Sequence, residues 1–432
     1  MKPRSLAGCI LSLVLLTYGC NETAQVNTVA QATPGVISTP AHGQATATTA
    51  AEVQMASPEL RWKIELGRDD FLWAAPAVAD GAVYMLDEDY LYAIDTQSGV
   101  LLWQFMHDVE LFGSTTPLVN NGTIYFTIPI NTDFNSQESG AIVYAVDTIT
   151  HEQKWRRSVA EEDVTDPVLL GDTLFFAGRG LSLPEKPHGG HVYAVHASTG
   201  VLKWSFSTIE NVESLFADKN SVYFGDGGAY AYSLDALSGH EKWKTLLANV
   251  ESSVLAVAND AVYALSSDTK AQYKPNRLYA LNSATGKQQW VYEKGDSRLG
   301  KLLVVNEDIY LTTQPILVNC LTDPNCLNSE THKGSVAIID TATGKEKALF
   351  KLAGAVGGIP IVRDSSLYLQ VGVLTPRGHM LDDEYIMAID STSGQEIWRY
   401  LTDDIVANGQ PVLNGDSLYF WEGGALQAIN VP

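Results

Sequence analysis

Positive charge is scarce in this chain. Lys and Arg together number 28 against 50 Asp and Glu, for a formal net charge of −22. Binding to nucleic acid needs clustered cations to replace the counterions of the phosphates, so a nucleic-acid partner is excluded. The surplus of acid selects no other partner; an acidic surface is above all a soluble one. Cysteine is also scarce, with four in 432 residues. No Cys-x-x-Cys-His sequence is present to attach haem covalently. No apolar run is long enough to cross a bilayer as a helix.

What is present begins with a targeting pattern. Lys2 and Arg4 precede the apolar run Ile10-Leu11-Ser12-Leu13-Val14-Leu15-Leu16, which ends at Thr17-Tyr18-Gly19-Cys20. A short basic region followed by an apolar core reads as an export signal over residues 1–20. Gly19-Cys20 is similar to a bacterial lipoprotein cleavage site, which implies lipidation of Cys20; Tyr18 is bulkier than the usual small residue there. Cys9, inside Leu6-Ala7-Gly8-Cys9, is read as part of the signal. Residues 21–58 are rich in Ala, Thr, Gln, Ser and Pro without apolar periodicity. Such a segment buries too little surface to offset chain entropy, and it is expected to be a disordered tether.

The body is a repeat. Leu91-Tyr92-Ala93-Ile94-Asp95-Thr96-Gln97-Ser98-Gly99 leads to Trp103, and the same frame returns around Asp147 with Trp155. It returns again from Tyr193 to Trp204, Tyr232 to Trp243 and Tyr279 to Trp290, then around Asp340 with Gly344, and around Asp390 with Gly394 and Trp398. A last copy, Leu426-Gln427-Ala428-Ile429-Asn430, lacks its second half, and a matching half sits at Leu60-Arg61-Trp62-Lys63-Ile64. Each copy follows an apolar stretch, a Gly/Asp/Asn turn and an aromatic-containing strand, starting near Pro76, Pro117, Pro167, Leu215, Val254, Leu302, Pro360 and Pro411. Four short strands, repeated at close to the ~40–50-residue period of propeller blades, predict an all-β fold. The expectation is an eight-bladed β-propeller over residues 59–432, with the strand around Trp62 closing the last blade.

Within the repeat, Asp-x-x-Ser/Thr-Gly is a tight turn. The Asp side chain bonds backbone ahead of it and Gly supplies positive φ. Asp95, Asp147, Asp235, Asp340 and Asp390 fill the first position. The Trp positions (Trp62, Trp103, Trp155, Trp204, Trp243, Trp290 and Trp398) are expected to pack an indole across the turn of a neighbouring blade, with the N–H on a carbonyl. His151 stands in place of Gly, His196 and Asn282 in place of Asp, and Ala348 in place of Trp. Weaker outer turns are therefore expected in blades 2, 3, 5 and 6.

This Tyr-x-x-Asp-x-x-Ser/Thr-Gly-x-x-x-Trp pattern resembles the quinoprotein-type (PQQ-like) repeat family, and the chain as a whole resembles its BamB-like outer-membrane assembly lipoproteins. The resemblance implies a membrane-anchored binding scaffold at the outer membrane facing the periplasm, or at the cell surface of a host without an outer membrane. It implies a protein partner and a monomer. The same family includes quinone-dependent dehydrogenases, which typically use adjacent cysteines and carboxylates around calcium. No adjacent Cys pair is present here and little chain remains to cap a buried cofactor. The expectation is no quinone, no metal and no catalysis; the alternatives are a PQQ-dependent dehydrogenase or an extracellular ligand- or carbohydrate-sensing propeller.

In a four-stranded blade the first and third turns share one face and the second turn shares the other with the connections between blades. The first set is short and repetitive here; the long variable segments fall in the second, where binding residues concentrate on a rigid scaffold. Phe71, Leu72, Trp73, Leu111 and Phe112 on that face are the candidate partner contacts. Cys320 and Cys326, around Asp323-Pro324 in the longest loop, are expected to form a local disulfide in an oxidising compartment. His188-Gly189-Gly190-His191 lacks a third metal ligand nearby, and Asp87-Glu88-Asp89 and Asp382-Asp383-Glu384 lack the spacing of a calcium loop.

Overall fold

The structure, a computed structural model, describes residues 57–66, 74–87, 89–107, 115–130, 140–180, 189–247, 252–266, 277–295, 297–315, 333–373, 383–402, 410–422 and 424–432. Cys20, Cys320, Cys326, Phe71, Leu72, Trp73, Leu111, Phe112 and His188 lie outside the described residues.

All regular structure among the described residues is β, arranged in eight antiparallel sheets. Seven are contiguous blades whose strands follow chain order: Ala77–Ala79 to Leu101–Met106, Leu118–Asn120 to Gln153–Val159, Glu161–Val164 to Leu202–Ser207, Val212–Asp218 to Glu241–Leu246, Ser252–Ala258 to Gln288–Glu293, Ser297–Val305 to Glu346–Lys351, and Ala355–Arg363 to Glu396–Thr402. The eighth takes three strands from the C-terminal end, Val412–Asn414, Ser417–Glu422 and Ala425–Asn430, and its outermost strand, Glu59–Glu65, from the start of the body. Glu59 pairs with Asn430 and Glu65 with Ala425, with a bulge between Leu60 and Trp62. The ring is closed as the broken repeat predicts, so neither terminal blade leaves an open sheet edge at the seam. Blade 3 departs from four plain strands: its innermost strand is split into Glu161–Val164 and Val168–Leu170, both paired with Thr173–Gly180.

The core lies between blades. Successive residues of a strand point to opposite faces, and the two middle strands of each blade are covered on both. Tyr84 and Leu86 of blade 1 meet Ile124, Phe126 and Tyr144 of blade 2 on one side. Val83 and Ile94 meet Tyr419 and Trp421 of blade 8 on the other. This is why middle strands such as Ala82–Leu86 are buried at every position, while outermost strands such as Gln153–Val159 bury the tryptophan and expose most of the rest.

Candidate binding faces and the channel

The blade face that carries the short turns is held together by tryptophan wedges. Trp62 Nε1 donates to Thr96 O of the next blade at 3.0 Å. Trp155 does the same to Ala197 O at 2.8 Å, Trp204 to Ala236 O at 3.1 Å, Trp243 to Ser283 O at 2.9 Å and Trp290 to Thr341 O at 2.9 Å. Each indole passes under the turn glycine of that neighbour. At Gly200 (φ 68°) a Cβ would stand 2.6 Å from Trp155 Cε3, so both the backbone conformation and the close approach require glycine. Trp103 packs on His151, ring centroids 4.5 Å apart, and His151 itself adopts φ 61°. Trp398 packs with Leu418 and Val431 of blade 8.

The turn carboxylates act as expected of Asx turns. Asp95 Oδ1 accepts from Ser98 N at 2.7 Å and Ser98 Oγ at 2.6 Å, and Asp390 accepts from Ser393 N and Oγ at 2.7 Å each. Asp147 accepts from Ile149 N and Thr150 N and pairs with Lys154, all at 2.8 Å. Asp235 accepts from Ser238 N at 2.9 Å and Oγ at 2.8 Å. These donors hold the carboxyls below their ordinary range; the hydroxyl of Thr343, then Lys347, bring Asp340 down to about 2.

In two of the four blades expected to have weaker outer turns, 5 and 6, a substitute takes the missing role. Asn282 Oδ1 accepts from Thr285 N at 3.0 Å and Oγ1 at 2.9 Å, as an aspartate would. His196 lacks that cap, yet Gly200 N still donates to His196 O at 2.8 Å. Where Ala348 replaces tryptophan, Phe350 two residues on fills the space under Gly394. An aromatic ring can be supplied from the next outward-facing residue because the period along a strand is two.

The opposite face carries a device the repeat did not announce. Where the second turn is short, the acid ending the second strand is clasped by the third strand. Asp87 accepts Tyr92 OH at 2.7 Å and the backbone N–H of Asp89 and Tyr90. Asp226 accepts Tyr232 OH at 2.8 Å with the N–H of Gly228 and Tyr230, and buried Glu422 accepts Gln427 Nε2 at 2.6 Å. Blade 3 borrows its acid from the split inner strand. Glu161 is 2% exposed and contacts His191 Nδ1 and Tyr193 OH, each at 2.8 Å. Burial, then the carboxylate bond, raises the phenol pKa of Tyr92, Tyr193 and Tyr232. Asp87 and His191, weighed above as weak metal ligands, thus spend these contacts inside the fold. The signal in sequence was an acid just before a short turn, followed by Tyr or Gln three residues before the hairpin Asp or Asn.

Two residues just before the Pro that opens a repeat, Asp166 and Gln410, bond across to the neighbouring blade. Gln410 bridges blades 7 and 8: its Nε2 donates to Ile359 O at 2.7 Å, and its Oε1 accepts Ile359 N–H. Asp166 Oδ1 accepts Thr116 N–H from the neighbouring blade at 2.8 Å. Asp166 is exposed by surface area, and neighbouring protein that displaces water raises its carboxyl pKa, against the lowering influence of Thr116 and of Lys301 on the blade 6 inner strand.

Eight such blades, closed through Glu59–Glu65 and wedged by tryptophan, define a PQQ-like β-propeller. The chain belongs to the family described as outer membrane protein assembly factor BamB, which matches residues 46–213, 188–320 and 318–431. It is similar to BamB from Moraxella catarrhalis in structure, with a TM-score of 0.59 at 16% identity over 87% of this chain and 98% of that one. It is also similar to the tetrathionate hydrolase of Acidithiobacillus ferrooxidans, 22% identical over 384 residues that cover 80% of this chain and 69% of that protein. A third relative is the quinohemoprotein alcohol dehydrogenase of Comamonas testosteroni, 24% identical over 60% of this chain and 37% of that protein.

These relatives overturn the expectation of a chain outside catalysis: two of the three are enzymes built on the same repeat. Missing adjacent cysteines and a missing haem sequence speak to one quinone chemistry and do not remove the chain from an enzyme-bearing family.

Proposed function

We propose that the chain is an exported propeller, tethered through lipid on Cys20, that docks a protein partner in the assembly of outer-membrane proteins. The observation that carries this reading is the match to the outer-membrane assembly family over all eight blades. The docking face is the one bearing the connections between blades. There Asp87, Asp226 and Glu422 close their own turns tightly, leaving recognition to the long segments of the other blades and to Phe71, Leu72, Trp73, Leu111 and Phe112. Aromatic anchors inside a polar rim, here Asp69, Asp70, Asp108 and Glu110, are the usual hot spots of such interfaces. Trp73→Ala and Phe112→Ala in the full chain are expected to weaken capture of the envelope partner while the fold holds. Gln97→Ala, on the short-turn face, is expected to leave it unchanged. Parental capture by both folded aromatic variants would overturn the reading.

A second reading, hydrolysis in the channel, is favoured by Asp166. Desolvation raises its carboxyl pKa against the lowering bond from Thr116 N–H, and a carboxyl shifted upward is a candidate proton donor. Tetrathionate turnover by the purified full chain, abolished in Asp166→Asn, would support it; no turnover would dismiss it.

A further inference from the structure

Each blade ends in an outer strand whose far side pairs with no other strand among the described residues. Such an edge is a template for pairing, and proteins guard it with charge, lysine above all. Seven blades of this chain do so. Just before the repeat tryptophan (Ala348 in blade 6), the outer strand holds Arg61 in blade 8, Lys154 in blade 2, Lys203 in blade 3, Lys242 in blade 4 and Lys347 in blade 6. Blades 5 and 7 carry Glu293 and Arg399 further along the same strand. Blade 1 has no such guard. Its outer strand, Leu101–Met106, contains no charged residue, and Leu101 is 38%, Leu102 52% and Met106 67% exposed.

The same strand is complementary to itself. Phe105 packs on Phe126 and Tyr144 of blade 2, so Gln104 and Met106 turn their side chains to the opposite, exposed face. His107 N–H donates to Asp89 O at 3.1 Å, and bonded pairs alternate along an antiparallel ladder. With Phe105 opposite Leu91 and Gln104 opposite Tyr92, the backbone groups of Phe105 point inward and those of Gln104 and Met106 point to the open edge.

We propose that a second copy of this chain pairs here, edge to edge and antiparallel, about a two-fold axis at Gln104. Gln104 then faces its own copy as a hydrogen-bonded pair, and Leu102 of each copy lies beside Met106 of the other. The pairing joins two four-stranded blades into one sheet and leaves no free edge at the contact. Two observations select a second copy as the occupant. The register repeats itself about Gln104, and the contact is free of like charge. The chain carries a net charge of −22, so copies repel over most of their surface. On the adjoining outer strand of blade 8, Lys63 and Glu65 pair with each other at 3.4 Å. One strand pair is a small interface, so the dimer is reversible.

The test uses the full chain. Sedimentation velocity over a concentration series is expected to show the monomer passing into a dimer. Leu102→Lys with Met106→Lys restores the guard and sets lysines opposite one another, and it is expected to raise the dissociation constant by about tenfold or more. Both are exposed edge positions, and circular dichroism checks that the variant keeps the parental fold. Gln104→Cys in intact envelopes is expected to form a covalent homodimer under mild oxidation. A bonded pair holds its Cα atoms about 5.5 Å apart, within reach of a disulfide. Met106→Cys, which the register sets opposite Leu102 and away from its own copy, is expected to form no dimer beyond the parental level. A chain monomeric at every concentration overturns the proposal. So does an unchanged dimer in the lysine pair, equal crosslinking from Gln104→Cys and Met106→Cys, or a Gln104→Cys chain that links to another envelope protein and not to itself.

Discussion

Replacing Gly200 by alanine, with and without Trp155, measures how strongly one blade is wedged to the next. Trp155 is 8% exposed, and its N–H bonds Ala197 O at 2.8 Å. Trp155→Ala should therefore cost about 3–5 kcal/mol, the range for a large aromatic removed from a core. Gly200→Ala has two separable costs. The residue keeps φ 68°, where an L side chain costs about 1 kcal/mol. The new methyl also stands 2.6 Å from Cε3 and 2.8 Å from Cδ2 of the indole, an overpacking worth about 1–3 kcal/mol. Alone, the change should cost about 2–4 kcal/mol; in the Trp155→Ala background only the backbone part, about 1 kcal/mol, should remain. Urea unfolding followed by circular dichroism gives the four free energies. A coupling of about 1–3 kcal/mol is the expected result. An equal cost of Gly200→Ala in both backgrounds would refute the wedge.

Three further outcomes follow from the same contacts. Deleting the chain through Ile64 removes the strand paired with Ala425–Asn430 and should lower the melting temperature; cooperative melting at the parental temperature would contradict ring closure. The hairpin carboxyls Asp147 and Asp340 are lowered in the folded state, so their stabilisation is present above the unfolded pKa of about 4 and is lost as pH falls through the folded values. Asp340→Asn should accordingly flatten the acid loss of stability between about pH 4 and pH 2, and an unchanged acid profile would count against these caps. Cys20→Ser should release the protein from the membrane while Cys9→Ser should not; membrane retention of Cys20→Ser would remove the lipid anchor.

The ring was legible because its signals are local. The Asp-to-Gly turn and the Trp four residues after the Gly lie within one blade's length and count the blades, and the last copy, cut short at Asn430, has its recognisable missing half at Glu59–Glu65, the closing strand. Compensations across blades were not legible. Ala348 looks like a defect until Phe350 is seen beneath Gly394 in the next blade. Glu161 reads as one acid in an acidic run until the split inner strand carries it to His191 and Tyr193, some thirty residues on. Asp166, just before Pro167, bonds Thr116 of the neighbouring blade, a contact that only the closed fold brings about.

The most direct measurement of the proposed docking function is site-specific crosslinking in intact envelopes. A photoreactive residue is placed at position 73 or 112, the proposed partner contacts, and at position 97 on the short-turn face as the control. The docking account predicts one and the same envelope protein, a component of outer-membrane protein assembly, crosslinked from 73 and 112 and absent from 97. A product from 97 alone, or none from 73 and 112 in a folded and exported chain, would contradict it.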